Sequence, residues 1–134
     1  MYLFDTDVLS RVIKAAPPKP LVERLLNLPR GLQFTTSINA AEIFYGASRI
    51  VRRDDFIRAF EDLVLSRLTV LPFDLGSARV FGRLKASLEK RGLSRSEPDL
   101  RIAAIALQHR LTVVTGNVRH FSGLPGLAVE NWLE

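Results

Sequence analysis

The sequence predicts an α/β fold in which a mostly parallel sheet is covered on both faces by helices. Short apolar segments with β-branched residues recur along the chain, each bounded by Gly, Pro, Asn or Asp. Amphipathic helical patterns lie between these segments. Such alternation of strand and helix is typical of βαβ units and a parallel sheet. The five predicted strand segments are residues 2–4, 32–36, 68–71, 111–115 and 127–130.

The first helical patterns are groups of apolar residues spaced three or four positions apart. The earliest group follows the breaker Pro17-Pro18. The second group is expected to face the protein interior, and the third precedes the strand segment at 68–71. In chain order the groups are Leu21, Leu25, Leu26 and Leu28, then Ile38, Ala41 and Tyr45, then Phe56, Phe60, Leu63 and Val64.

The clearest helix is predicted over residues 74–91. Asp74 is a plausible N-cap after Pro72, and apolar residues recur on one face as far as Leu88. Basic residues occupy the last turn and Gly92 ends the helix. A last helix is predicted from about Ser96 to Arg110.

Composition indicates one domain, residues 1–134, with 47% apolar and 25% charged residues. The longest apolar run, residues 102–107, is far shorter than a membrane span. Asp5 falls where the apolar part of a secretory signal would build, so we expect a cytoplasmic protein. The chain has no cysteine and two histidines, which excludes thiolate chemistry and disfavours a zinc site. Its net charge of +5 suits a polyanionic partner.

Three acids stand at element boundaries or interrupt apolar patterns. Asp5 follows the first strand, and the carboxyl ends of strands are where open α/β sheets bind ligands. Glu42 shares the helix face of Ile38 and Tyr45, and a buried carboxylate requires a cation, either a metal ion or an arginine such as Arg49. Asp99 opens the last helix.

Each acid also has a purely structural interpretation. Asp5 could cap the first helix, and Ser96-Glu97-Pro98-Asp99 has the spacing of a capping box. Taken together, however, acids that met in one notch would raise one another's pKa unless a cation neutralised them. Oxygen ligands without Cys or His indicate Mg²⁺ or Mn²⁺. Such ions activate water and polarise phosphoryl oxygens, which is the chemistry of phosphodiester hydrolysis.

Four segments resemble successive motifs of PIN-domain ribonucleases, and the end of the chain resembles the VapC toxins within that family. The resemblance spans the whole chain in the right order. The segments are Phe4-Asp5-Thr6-Asp7-Val8-Leu9-Ser10, Ala41-Glu42-Ile43-Phe44-Tyr45-Gly46-Ala47, Pro98-Asp99-Leu100-Arg101-Ile102-Ala103-Ala104 and Thr115-Gly116-Asn117-Val118-Arg119-His120-Phe121, followed by Leu124-Pro125-Gly126-Leu127 and Glu130-Asn131-Trp132.

This resemblance implies a three-layer α/β/α sandwich with a mostly parallel sheet of four to five strands. It implies a Mg²⁺- or Mn²⁺-dependent endoribonuclease, the toxin of a toxin–antitoxin pair, which dimerises and is inhibited by a VapB-type antitoxin. Asp5, Glu42 and Asp99 match the family's acids and are the expected catalytic residues and metal ligands.

Supporting roles around those acids are expected for four further residues. Thr6 and Thr115 match hydroxyls of the family motifs. Asn117 departs from the pattern, because many PIN domains carry a fourth acid there, and a single metal ion is therefore favoured. Asp7 is placed beside the ligands rather than among them, because Asp5 and Asp7 need not converge on a helix's first turn.

Two other functions remain open from the sequence. Asp5-Thr6-Asp7-Val8 also fits the opening of haloacid-dehalogenase-like phosphatases, in which Asp5 would be the nucleophile. The chain is short for that fold, however, and lacks a downstream Asp-Asp pair after a strand. The other alternative is a PIN-like scaffold that binds RNA or protein without cutting, which Asn117 keeps open.

Overall fold

A computed structural model describes residues 1–14 and 16–134 and contains a five-stranded sheet. The strand order is β3-β2-β1-β4-β5, and every strand pair is parallel. All five predicted strand segments are confirmed. The strands are β1 (Tyr2–Phe4), β2 (Gln33–Thr36), β3 (Thr69–Leu71), β4 (Thr112–Val114) and β5 (Val129–Glu130).

Helices cover the two faces of the sheet, so the predicted three-layer α/β/α arrangement is confirmed. Alternate strand residues point to opposite faces. Phe4 and Val114 pack with the helices from the first half of the chain, whereas Leu3 and Val113 pack with the last two helices. The helices are α1 (Thr6–Ile13), α2 (Lys19–Asn27), α3 (Ser37–Ala47), α4 (Arg53–Ala59), α5 (Leu75–Lys90) and α6 (Glu97–His109).

The boundaries of α5 agree with the sequence prediction. Asp74 accepts a hydrogen bond from the backbone N–H of Ser77, and the Ser77 side chain returns to the Asp74 backbone, which completes a capping box. At the other end Gly92 has φ +68°, and Leu93 donates to the carbonyl of Leu88. The helix therefore ends in a Schellman turn that requires the left-handed conformation of glycine.

The predicted interior stripe of α3 is confirmed for Ile38, which packs against the core, and is wrong for Ala41 and Tyr45, which are exposed. The buried residues are Asn39, Ala40, Ile43 and Ala47, whereas Tyr45 is 66% exposed. The α3 helix itself carries small or apolar residues on most of its sides, so its sequence does not specify which face is buried.

Within the described residues, no helix combines the length and apolar character needed to cross a bilayer.

Helix α6 ends at a strained residue, because Arg110 is a non-glycine residue with a positive φ of +57°. We expect Arg110→Gly to raise the free energy of unfolding by about 1 kcal/mol, since glycine adopts this conformation without the clash of a Cβ atom. Urea denaturation measures the change. Arg110→Ala keeps the Cβ atom but removes the charge, so it should gain much less. Equal gains in both variants would contradict the backbone explanation.

Candidate active site

The site lies at the carboxyl edge of the sheet, where three neighbouring strands end in polar residues. Asp5 follows β1, Thr36 ends β2 and Thr115 follows β4. These strands are adjacent in the sheet, so residues distant in sequence meet at one edge. The backbone N–H of Asp5 donates to the carbonyl of Val114 at 3.0 Å, which fixes the start of α1 against the end of β4.

Asp5 is nearly buried, with 6% of its surface exposed, and its carboxylate is held by two neutral donors. The side-chain amide of Asn39 donates to Oδ1 at 2.9 Å, and the Thr115 hydroxyl donates to Oδ2 at 2.8 Å. Although Asp5 occupies the N-cap position of α1, its side chain makes no capping hydrogen bond to that helix. The capping interpretation therefore does not explain this buried acid.

The pKa of the Asp5 carboxyl is raised to about 6. Burial is the main cause, because it removes water from the charged form. The hydrogen bond from Thr115 lowers this pKa, whereas the negative charges of Asp7 and Glu42 raise it further. At neutral pH the Asp5 carboxylate is therefore mostly ionised, although the surrounding hydrogen bonds do not fully offset the cost of burying its negative charge.

Glu42 is connected to Asp5 through one intermediate residue, Thr6. The sequence predicted that Glu42 is buried, whereas the structure shows that it is exposed. The Thr6 hydroxyl donates to Glu42 Oε1 at 2.8 Å. No ion pair between Glu42 and Arg49 occurs among the described residues. Its exposure follows from the orientation of α3, which turns Ala40 and Ile43 inward.

Asp7 holds the loop that follows β4. Its Oδ2 accepts hydrogen bonds from the backbone N–H of Gly116 at 2.8 Å and from the side-chain amide of Asn117 at 3.3 Å. The Asp7 carboxylate therefore joins the first turn of α1 to the segment that follows β4. Asn117 is oriented by the same contact.

A Cβ atom at position 116 would lie 2.7 Å from Asp7 Oδ2 and 2.7 Å from Leu133 Cδ1, so the ends of these two side chains would have to shift. We expect Gly116→Ala to lower the free energy of unfolding by about 1–3 kcal/mol, since one neighbour must move. Thermal unfolding measures this loss. Gly82→Ala is the matched control, because Gly82 lies within α5 with no atom near the added methyl, and this change should stabilise the helix. Similar losses in both variants would contradict the crowding argument.

The third predicted acid, Asp99, contacts a different residue. Its Oδ2 lies 3.2 Å from Nδ1 of His120, and its backbone N–H donates to the Ser96 hydroxyl at 3.3 Å. Ser96 thus caps α6 as the structural interpretation predicted. In the part of the chain that the structure describes, no three His, Asp or Glu side chains lie close enough together to hold a metal ion. The structure brings Asp5 and Glu42 together, and it shows Asp99 paired with His120.

Sequence reasoning missed Asn39 and Gly116. Asn39 is fully buried and contacts both Asp5 and Thr6. A signal was present, because Asn39 is a polar residue three positions after Thr36, which is the spacing of a capped helix N-terminus. Gly116 carries no comparable signal, since its importance depends on the approach of Leu133 from the end of the chain.

Comparison with known proteins reveals similarity along almost the entire chain. The PIN domain profile matches residues 2–126. The chain is 37% identical to Ribonuclease VapC2 of Haemophilus influenzae over 132 residues, which cover 98% of each protein. It is 30% identical to the tRNA(fMet)-specific endonuclease VapC of Salmonella typhimurium, covering 98% of this chain and 97% of that protein.

Solved structures show the same fold. DNA-bound VapBC from Salmonella typhimurium superposes with a TM-score of 0.89 at 32% identity, covering 98% of this chain and 97% of the other. VapBC2 from Rickettsia felis, bound to a promoter DNA fragment, gives a TM-score of 0.88 at 30% identity and covers 98% of each chain. Profile, sequence and fold agree, and the chain belongs to the PIN-domain family.

Proposed function

We propose that this protein is a metal-dependent endoribonuclease that hydrolyses RNA phosphodiester bonds, and the toxin of a toxin–antitoxin pair. One observation carries the proposal, namely the nearly buried Asp5 carboxylate beside Glu42 and Asp7. Within the described residues Asp5 makes no ion pair with lysine or arginine. A site that gathers negative charge without a protein cation suits a bound metal ion. The relatives named ribonuclease and endonuclease supply the reaction class.

The carboxylates of Asp5 and Glu42 suit a Mg²⁺ or Mn²⁺ ion, because they offer the oxygen donors that these ions prefer. Asp5 and Glu42 would hold the ion, and Asp99, which pairs with His120 in this structure, is added as a ligand on the family resemblance alone. When bound, the ion polarises phosphoryl oxygens and lowers the pKa of water.

The chain's own groups around the ion have separate tasks. Thr115 fixes the Asp5 carboxylate, and Asp7 anchors the loop after β4. The Thr6 hydroxyl donates to Oε1 of Glu42, and this exposed carboxylate would either bind the ion or orient the attacking water. Thr6, Asp7, Thr115 and Asn117 thereby support the acids.

The geometry does not favour the phosphatase alternative. Such an enzyme needs the second acid of Asp5-Thr6-Asp7 to donate and accept protons at the substrate. Oδ2 of Asp7 is instead bonded to the segment after β4, by the Gly116 backbone N–H and the Asn117 side-chain amide. The relatives' names also give a reaction, so a non-cleaving scaffold has no specific support.

A protein partner is the second part of the proposal, because the similar solved structures are VapBC complexes. An apolar cavity of about 250 Å³ lies between α1, α2 and the segment after α4, with the exposed Leu26 and Leu63 at its border. An apolar segment of a VapB-type antitoxin fits this chemistry. We also propose a homodimer, since α3 and the following turn expose Tyr45, Ile50 and Val51.

Metal dependence provides the direct test of the proposed reaction. We expect purified protein treated with EDTA to leave RNA intact, and added Mg²⁺ or Mn²⁺ to restore cleavage. Gel analysis of end-labelled RNA measures the products. Glu23→Gln, which removes an acid of α2 outside the site, should cut like the wild type. Cleavage that survives EDTA would contradict the metal site, and absence of cleavage with either ion would contradict the proposed reaction.

A further inference from the structure

Asn39 is the most completely bonded polar side chain at the site, although it lies outside the expected set of functional residues. It sits in the first turn of α3 and is 0% exposed. Its side-chain oxygen accepts from the Thr36 hydroxyl at 2.6 Å. Its side-chain nitrogen donates to Asp5 Oδ1 at 2.9 Å and to Thr6 Oγ1 at 3.0 Å. Both amide hydrogens and the carbonyl are therefore used.

The orientation of this amide is determined by Thr36. The Thr36 hydroxyl oxygen accepts a hydrogen bond from the Asn39 backbone N–H at 3.1 Å. Its hydrogen is therefore available to donate, and it donates to Oδ1 of the same asparagine. With Oδ1 fixed at Thr36, the NH₂ group can only face Asp5 and Thr6. The direction of the bond to Asp5 thus follows from the cap of α3.

The same amide acts on Glu42 through Thr6. Because Thr6 Oγ1 accepts a hydrogen bond from Asn39, its own hydrogen is directed to Glu42 Oε1 at 2.8 Å. One neutral donor therefore orients the buried acid directly and the exposed acid through one hydroxyl. Chains of hydrogen bonds of this kind polarise and fix one another.

We propose that Asn39 is a positioning residue that sets the geometry of Asp5 and Glu42 for a divalent cation. A neutral amide suits this role, because it holds the carboxylate without supplying positive charge. An arginine or lysine would neutralise Asp5 and compete with the ion. This inference rests on the proposed metal-dependent reaction at the same acids.

The first test compares Asn39→Ala with the wild type. We expect the Mn²⁺ affinity, measured by electron paramagnetic resonance, to fall by about 10- to 100-fold, as for other groups that orient metal ligands. We expect kcat for RNA cleavage to fall at low Mn²⁺ and to recover at high Mn²⁺, with KM for RNA unchanged. Unchanged Mn²⁺ affinity, or a loss of kcat that excess Mn²⁺ does not restore, would overturn the role.

Ser77→Ala is the matched control for this comparison. Ser77 is also 0% exposed and belongs to a polar network at a helix N-terminus, with Asp74 and Gln108, on the other face of the sheet. It should lose stability while Mn²⁺ affinity stays at the wild-type level. An equal fall in Mn²⁺ affinity in both variants would reduce the Asn39 effect to general destabilisation and overturn the assignment.

A measurement on the wild type avoids any folding defect of a variant. We expect the side-chain NH₂ resonances of Asn39 to exchange slowly with solvent and to shift when Mg²⁺ is added. Rapid exchange, or no response to Mg²⁺ while other resonances respond, would overturn the proposal. The two proposals fail in different ways. Asn39-dependent metal binding without RNA cleavage would refute only the reaction, whereas RNA cleavage with Asn39→Ala equal to wild type would refute only the role of Asn39.

Discussion

Asp5→Asn is expected to abolish RNA cleavage while making the metal-free protein more stable at neutral pH. Asparagine keeps the size of the side chain but removes the negative charge that would hold the ion. We expect cleavage to fall by more than about 100-fold, the upper end of losses seen for residues that only support metal ligands. Initial rates on end-labelled RNA at saturating Mg²⁺ measure this change.

The stability gain follows from the pKa of Asp5, which is about 6 in the folded protein against 3.8 for the unperturbed group. Below about pH 4 the carboxyl is protonated in both states, so burial carries no penalty. Between these values the folded protein binds the extra proton, and stability falls as pH rises. Above about pH 6 the penalty is complete, at about 3 kcal/mol for a shift of this size.

Urea denaturation with EDTA at pH 4 and pH 7.5 tests this result. The stability gained by Asp5→Asn over the wild type should be greater at pH 7.5 than at pH 4 by about the stated amount, because the contributions of the other groups are common to both proteins. Asp62→Asn, which changes an exposed acid after α4, serves as control and should leave the pH dependence as in the wild type. A variant that loses stability at pH 7.5, or that retains cleavage, would contradict the assignment of Asp5.

Trp132→Ala is expected to cause the largest loss of stability. Trp132 is 4% exposed, and its ring centroid lies 4.9 Å from that of Tyr2 and 5.5 Å from that of Phe4. The guanidinium carbon of Arg24 lies 3.8 Å from the ring centroid, and Nε1 donates to Glu130. Removing a buried tryptophan costs about 3–5 kcal/mol, which is a large part of a domain's total stability.

Differential scanning calorimetry should show a fall in Tm of more than about 10 °C for this variant. Trp132→Phe preserves most of the aromatic packing and loses only the hydrogen bond to Glu130, so it should lose far less. Trp132→Ala should also weaken the site indirectly, because Leu133 packs beside Gly116. A loss below about 1 kcal/mol would show that the end of the chain is not anchored by this ring.

The strands and the clearest helices were predictable because each depends on local sequence. Asp74 and Gly92 mark the ends of α5 through hydrogen bonds within a few residues. The parallel arrangement follows from the alternation of strands and helices. The buried face of α3 was not predictable, since apolar residues lie on most of its sides and tertiary packing decides among them.

The acids of the candidate site were predictable from the sequence, but the hydrogen bonds and ion pairs that these acids make were not. Asp5 and Glu42 stand out as charges that interrupt apolar patterns, and the structure joins them through Thr6. The pairing of Asp99 with His120 was not predictable, because it depends on how the loop after β4 returns to α6. The supporting role of Thr115 was expected from the family motif, but the hydrogen bonds that Asn39 and Thr115 donate to Asp5 form only when separate strands meet at one edge.

The position of β4 has a consequence during synthesis. This strand lies beside β1 in the middle of the sheet, yet Thr115 follows Asp5 by 110 positions. A nascent polypeptide emerges from the ribosome with its N-terminal part first, so the Asp5 carboxylate lacks the Thr115 hydrogen bond until β4 and Thr115 have been synthesised. Before that point β1 lacks one of its two neighbouring strands, so the edge of the sheet that holds Asp5 is complete only once β4 has joined it.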